Sequence, residues 1–240
     1  MIAPAAAMTA SPKLLTHTEQ GVLTLTLNRP GKLNAIDNEL AEALLQALEA
    51  ARDNTAVRAI RLRGEGRAFC AGRDVSAAPT EQDLVLVQSV SQALVGHPRP
   101  VLAEVHGWTV GAGFEWMLNA DVVVAAEGTR FKLPEASLGV FVTGGLTATL
   151  PAMAGLARAK ALTLLGDEFS AREARDWGLI WRVVPDAALQ AHGLQTAQRL
   201  AALRPDVATQ FKRVLNQIGL AGFDQAVAEE NLAQRRLQAG

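Results

Sequence analysis

The chain has 240 residues, a formal net charge of −1 and 49% hydrophobic residues, which suits one large domain with a sizeable core. No basic stripe and no apolar run near the roughly 20 residues that span a bilayer are present, so neither nucleic acid nor a membrane is expected as a partner. The single cysteine, Cys70, excludes an intrachain disulfide and a cysteine-based metal cluster and fits a reducing cytoplasm.

Residues 1–12 are rich in Ala, Pro, Ser and Thr and lack a basic segment before an apolar one. They read as a frayed tail rather than a signal peptide, with Met8 as an alternative start. Leu14–Glu19 and Val22–Asn28 alternate as strands around a turn at Gly21. Asn28-Arg29-Pro30-Gly31-Lys32 is a loop. Asp37 is a good N-cap for a helix whose Leu40, Leu44, Leu45 and Leu48 share a face. Val57–Arg63 alternates as a strand, and Gln82–Val95 reads as a helix stopped at His97-Pro98-Arg99-Pro100. Val101–Val105 is a short buried strand that runs into the glycine-rich stretch Val105 to Trp116, with a helix from Gly113 to about Asn119. Strands at Asp121–Ala126 and Thr129–Leu133 follow, the second stopped by Pro134-Glu135. Gly139–Gly145 is a loop, and helices are expected from Gly144-Gly145 to Met153, over Ala157–Leu165 and over Ala171–Trp177. After a strand at Ile180–Val184 the chain is helical, with breaks at Arg204-Pro205 and Gly219. Its tail, Asp224–Leu237, is amphipathic with alternating charge, a face suited to covering another surface. Strands alternating with helices, in a loose β-β-α recurrence, predict an α/β fold with a parallel sheet. The Gly-x-Gly-x-x-Gly of a doubly wound dinucleotide fold is absent near the first strand.

Chemistry concentrates in four places. In Gly111-Ala112-Gly113, glycines admit unusual backbone geometry, the start of a helix presents unpaired N–H groups, and Glu115 lies in the first turn. A tightly packed strand–helix joint with a solvated Glu explains this segment equally. Glu135, after Pro134, is either a turn residue or a second carboxylate; two carboxyl groups of different protonation can donate and accept a proton, as adding water across a double bond requires. Phe69-Cys70-Ala71-Gly72-Arg73-Asp74 exposes backbone N–H groups that would complete an oxyanion hole beside Ala112. Cys70 itself, with no base beside it, reads as a small buried hydrophobe. His17, His97, His106 and His192 are scattered, with neither triad order nor metal-ligand spacing, and His106 reads as structural.

Asn28-Arg29-Pro30 with Leu33-Asn34-Ala35, then Ala68 to Asp74, then His106-Gly107 through Gly113-Phe114-Glu115, then Pro134-Glu135 and Gly139, resemble the crotonase (enoyl-CoA hydratase/isomerase) family. Ala157–Leu165, Ala171-Arg172-Glu173-Ala174 to Trp177-Gly178-Leu179 and Val183-Val184-Pro185 look like it too. The match runs from about Leu14 to Pro205; each motif is modest alone, and together they are specific.

The resemblance implies a crotonase-like spiral of β-β-α units over residues 13–190 and a helical C-terminal region over 191–240, shorter than is typical, assembled as a homotrimer or hexamer. It implies a coenzyme A thioester as substrate and no separate cofactor or metal. The backbone N–H groups of Arg73 and Ala112 would hold the thioester oxygen. Lys32, Leu33, Ala35, Ala71, Asp74 and Val75 fall where the family binds the nucleotide and pantetheine. Trp108, Val110, Leu138 and Phe141 would line the acyl pocket, and Pro134 joins the substrate contacts. Glu115 and Glu135 match the two glutamates of the hydratases, Glu115 with the water and Glu135 with the proton. The implied activity is therefore hydration of a trans-2-enoyl-CoA. Enoyl-CoA isomerisation or another enolate reaction, and a silent acyl-CoA-binding protein, are the alternatives. Val142-Thr143 stand where hydratase-like members commonly have Pro then Gly, which bears on where the water sits.

Overall fold

The structure is a computed structural model that describes residues 12–76 and 80–238. Of the tail expected over residues 1–12, only Pro12 falls among the described residues. Strands β1 (Leu14–Glu19) and β2 (Val22–Leu27) form an antiparallel hairpin whose turn, Gln20-Gly21, takes positive φ at both residues. A 3-10 turn at Pro30–Lys32 leads to helix α1 (Asn38–Asp53), capped by the Asp37 carboxylate accepting from Leu40 N. Strand β3 (Ala59–Gly64), helix α2 (Glu81–Val95) and strand β4 (Val101–Val105) follow.

Two short strands, β5 (Trp108–Val110) and β7 (Arg130–Lys132), flank helix α3 (Ala112–Leu118) and strand β6 (Val122–Ala126). Helix α4 (Glu135–Leu138) is a single turn, and α5 (Leu146–Ala154) and α6 (Leu156–Leu165) come next. Strand β8 (Phe169–Ser170), helix α7 (Ala171–Asp176) and strand β9 (Arg182–Val184) precede α8 (Leu189–Ala201), α9 (Pro205–Gly219) and α10 (Phe223–Gln238).

The described strands form two sheets. The larger has the order β1-β2-β3-β4-β6-β9, parallel except for the β1–β2 hairpin; the smaller has the order β5-β7-β8, with β5 and β7 parallel. A repeating path explains both. After β4 the chain adds β5 to the small sheet and then turns into α3; after β6 it adds β7 and turns into α4. Following β3, Cys70 bridges to Thr109 of β5 in the same parallel sense. Each circuit therefore leaves one strand in each sheet, and equivalent positions of successive circuits stack. This is the spiral of β-β-α units that the resemblance implies.

The structure corrects one expectation and adds two details that the sequence left open. The stretch after Val105 does not pass straight from strand to glycine turn: Gly107, at φ +56, redirects the chain and creates β5. Glu135 is not a mere turn residue but the first residue of α4, behind a proline that loses no hydrogen bond at a helix start. Phe169–Ser170 pairs as β8, too short for any sequence periodicity to reveal.

The small sheet is held by aromatic packing. Phe114 of α3 meets Phe131 of β7 edge-on, ring centroids 5.6 Å apart, and Phe169 of β8 at the same separation. Phe131 and Phe169 stack at 5.3 Å, and Trp177 closes the group at 5.2 Å from Phe169. Phe114 and Phe131 are fully buried. Such pairs contribute about 0.5–1.5 kcal/mol each beyond area burial. They fix the roll of α3, and hence the direction in which its next residue, Glu115, points.

On the other face of the large sheet, α8 lies over β3 and β4, where Arg61 donates through Nε to Glu104 at 2.8 Å and through Nη2 to Gln190 O at 3.1 Å. Gly193 makes this approach possible: a Cβ there would stand 1.8 Å from Glu104 Oε2. Gly193→Ala is therefore expected to lower stability by about 1–3 kcal/mol through overpacking beside a buried ion pair, read as a shift in the denaturation midpoint.

Candidate functional site

The site grows from the stacking of circuits. Phe69 N donates to His106 O at 2.8 Å, Cys70 N to Trp108 O at 3.2 Å and Val110 N to Cys70 O at 3.0 Å, so segment 68–72 runs beside β5. On its other side Ala71 N donates to Leu33 O, Ile36 N to Gly72 O and Asp74 N to Ile36 O. Asn34 holds this junction: its buried amide donates to Glu65 O and Ala68 O and accepts from Arg29 N. The bridge to Ile36 is carried by Gly72 and Asp74, which leaves Arg73 N–H with no acceptor among the described residues. Ala112 is the first residue of α3, and its N–H likewise has no acceptor there. A Cβ on Gly72 would lie 3.6 Å from Ala112 N, so the two free N–H groups belong to adjoining backbones. The Arg73 side chain pairs with Asp83 of α2 at 3.2 Å, which steadies its segment.

Two carboxylates face this place from consecutive circuits. Glu115 is 1% exposed. Both its oxygens accept from Thr143 N at 3.3 Å. A Cβ on Gly144 would stand 2.2 Å from Glu115 Oε2 and 2.7 Å from Ser91 Oγ, so only glycine fits beneath the carboxylate. Glu135 is half-buried and lies over Gly111, whose added Cβ would meet its Oε1 at 2.5 Å. Gly111 adopts φ +51 and ψ −125, a conformation that side chains resist, and its N donates to Lys132 O. Glu135 Oε2 is buried without a hydrogen-bond partner.

Electrostatics follow from this burial. Loss of water pushes Glu135 up to about 7. Glu115 is held well above the ordinary carboxylate value, first by burial, then by the charges of Glu230 and Glu135, against the amides of Thr143 and Gly144, which favour its ionised form. Burial thus makes both members of the pair hold protons well above the ordinary carboxylate range.

A cavity of about 320 Å³ opens beside these groups. Arg73, Asp74, Val75, Leu138, Phe141 and Thr143 border it, together with Gln234 of α10. Five of the expected residues, Arg73, Asp74, Val75, Leu138 and Phe141, therefore come together. Trp108, Val110 and Pro134 do not border this cavity: Trp108 is exposed at the start of β5, and Val110 and Pro134 are half-buried near Gly111 and Glu135. Leu33, Ala35 and Ala71 form the strip beside Arg73, and Lys32 is exposed on the 3-10 turn before it. Asp74 is held ionised by Ser76 and by Arg29, whose Nη2 donates at 2.9 Å. Cys70 is fully buried and its thiol is pushed up to about 12, so it stays a small hydrophobe. His106 Nε2 lies 2.9 Å from Gly66 O, a structural contact.

Residues 17–237 match a family model described as enoyl-CoA hydratase/isomerase. The chain belongs to this family, the crotonases, and is an enzyme of it. A 1,2-epoxyphenylacetyl-CoA isomerase of Escherichia coli (strain K12) is 39% identical over 198 residues, covering 78% of this chain and 76% of that protein. A 2,3-dehydroadipyl-CoA hydratase of the same organism is 34% identical over 223 residues, covering 91% and 87%. A solved structure titled as an enoyl-CoA hydratase from Mycobacterium avium subsp. paratuberculosis K-10 superposes with a TM-score of 0.90 at 28% identity, covering 95% and 91%. The crotonase relatives thus include one named for isomerisation and one for hydration, both of coenzyme A thioesters.

Sequence reasoning missed Glu230 and Gln234, which reach this crotonase site from α10. Glu230 has no exposed surface, and Gln234 Oε1 accepts from Phe141 N at 2.6 Å. Their signal was a polar pair continuing the face set by Phe223 and Val227.

The raised carboxylates have a stability consequence. Above the ordinary value of 4.5, an unfolded Glu115 ionises while the folded one keeps its proton, so the wild type loses stability as pH rises toward the folded value. Glu115→Gln carries no such cost. Its melting temperature relative to wild type is expected to climb between pH 5 and pH 8; a pH-independent difference would contradict the assigned burial.

Proposed function

We propose that this crotonase adds water to a trans-2-enoyl-CoA to give a 3-hydroxyacyl-CoA. The observation that carries the reading is the meeting of two free backbone N–H groups, of Arg73 and Ala112, with two proton-holding carboxylates, Glu115 and Glu135. The N–H groups donate to the thioester oxygen and stabilise the charge that develops on it. Glu115 takes a proton from water, whose oxygen bonds to C3; the C2–C3 π electrons move onto the thioester as an enolate; Glu135 gives its proton to C2 as the enolate collapses. One proton enters the pair and one leaves it, so the site is restored, and addition from one wall is syn. The reaction is redox-neutral and the reading requires neither metal nor separate cofactor. Proton exchange between the carboxyls makes the split of roles a property of the pair, with the total of one proton as the active state.

The relative named as an isomerase supports a second reading, in which the same pair moves a proton along an acyl-CoA through the same enolate. The cavity beside Arg73 supports an acyl chain in either case. The apolar side chains of Phe211, Leu215 and Ile218 on α9 and of Leu164 and Leu165 on α6 are exposed and support self-association, which we propose to be a homotrimer or hexamer. A single buried cysteine accords with the reducing cytoplasm as its compartment.

Purified protein offered crotonyl-CoA and a 3-enoyl-CoA should consume the first, with loss of the conjugated chromophore and appearance of 3-hydroxyacyl product. Turnover of the 3-enoyl thioester alone would establish the isomerase reading, and tight binding without turnover of either a silent protein. Glu115→Gln and Glu135→Gln should each lower kcat by about 100-fold or more with KM changed little, since both act chiefly in the transition state. The rate should rise with pH as the doubly protonated pair loses its first proton and fall at higher pH as the second leaves.

A further inference from the structure

The buried residues of α10 are Phe223, Val227, Glu230 and Gln234, which form one stripe along the helix. Two of them are polar, and both are used. Glu230 Oε2 accepts from Gly145 N at 2.7 Å; its Oε1 accepts from Thr147 N at 2.8 Å and Thr147 Oγ at 2.7 Å. These are the first donors of α5, whose own N-cap, Gly145, has no side chain to satisfy them. One turn along α10, Gln234 Oε1 accepts from Phe141 N. The two side chains therefore grip both ends of residues 141–147.

Between the grips lie the groups that meet Glu115. Thr143 N donates to both of its oxygens, and Gly144 lies under Oε2 with its carbonyl accepting from Asn119 Nδ2 at 2.9 Å. On its opposite flank α10 is tied to α2: Asn231 Nδ2 donates to Gln88 Oε1 at 3.0 Å, and Arg235 pairs with Glu81. A helix anchored on one side can hold a loop on the other.

We infer that Glu230, assisted by Gln234, is a positioning residue for the reaction, clamping the 141–147 loop so that its amides meet Glu115. The inference rests on the acyl-CoA reading above. Glu230, whose own proton affinity burial raises against the donors of Gly145 and Thr147, also acts on Glu115 through its charge when ionised. The charged groups that face Glu115 are Glu230 from α10 and Glu135 from α4; α2 contributes only the neutral Ser91, and the loop contributes amides. Glu230 thereby helps to keep a proton on Glu115, and its influence there exceeds that of the Thr143 amide.

The charge and the grip act on Glu115 in opposite directions, which separates positioning from simple helix capping. Glu230→Gln removes the charge but keeps one acceptor, so the Glu115 titration, followed by 13C NMR of glutamate carboxyls, should move to lower pH. The alkaline limb of the pH–rate profile should move with it, and kcat should fall about tenfold or more with KM within about twofold. Gln234→Leu removes the other grip without removing a charge, at a position that also borders the cavity. It should loosen the Thr143 amide, move the Glu115 titration to higher pH and lower kcat, and it carries the test if Glu230→Gln does not fold. A lower melting temperature in both variants, with the Glu115 titration and kcat unchanged, would reduce α10 to a structural cap and overturn the inference. Wild-type protein that turns over neither thioester would refute the acyl-CoA reading, while the two NMR titrations would still decide whether the clamp exists.

Discussion

Three carboxylates buried along one wall are the constraint that the rest of the structure answers. A carboxylate out of water is costly unless hydrogen bonds or counter-charges replace its hydration, and among the described residues no cation pairs with any of the three. The three are treated unequally. Glu230 receives three donors from the start of α5. Glu115 receives the Thr143 amide and is packed on Gly144. Glu135 has an oxygen with no partner. The best-satisfied group is the one assigned a fixed role, and the two left short of partners are the ones assigned to handle protons. Selective under-solvation keeps a proton within the pair near neutral pH, which acid–base work on a weakly acidic carbon position requires.

The spiral makes this wall buildable from backbone. Successive circuits place Arg73, Ala112 and Glu135 at the same level, each just after its contribution to the small sheet or to the strip beside it. The backbone N–H groups come from positions where the chain leaves an extended segment, so their direction is set by pairing already made on either side. The Arg73 N–H is free because the bridge to Ile36 uses its neighbours, and the Ala112 N–H because a helix cannot satisfy its first donor. Neither depends on the side chain at that position. The aromatic group of Phe114, Phe131, Phe169 and Trp177 then keeps the small sheet and α3 from sliding, and a shift of that helix would move the donor and Glu115 together.

What the sequence made legible follows the reach of each signal. Alternation and capping located β1, β2 and α1 almost to the residue, because those patterns are local: Asp37 does cap α1, and Leu40, Leu44 and Leu48 are its buried face. The glycine turn at Gly111–Gly113 and the carboxylates at Glu115 and Glu135 were readable as candidates from residue type, and their order with Arg73 was specific as a set. The short strands β5 and β8 were not readable, since two or three residues carry no period and pair only because the large sheet brings them together. Trp108, expected on the acyl wall, is exposed at the start of β5 and does not border the cavity beside Arg73. Glu230 and Gln234 lay in a stretch read as amphipathic and suited to covering another surface, with neither residue singled out. Only the phase set by Phe223 and Val227 reveals that they continue the buried stripe.

The loop at 141–147 shows why a departure from a family pattern need not alter chemistry at the level of side chains. Val142 is buried in the core, and Thr143 contributes its N–H to Glu115. The glycine of the pattern, standing where Thr143 does, could donate the same bond but with greater backbone freedom. In this chain a β-branched pair stiffens the loop from within, and α10 holds it from outside through Phe141, Gly145 and Thr147. The cavity wall and the carboxylate's amide partner are therefore one mechanical unit: Phe141 and Thr143 border the cavity, Thr143 also touches Glu115, and Gln234 both borders the cavity and fixes Phe141. A displacement of this wall would therefore move the backbone amide that favours the ionised form of Glu115. The shape of the cavity and the hydrogen bonding of Glu115 are coupled by covalent continuity over three residues, from Phe141 to Thr143, rather than by a long-range path.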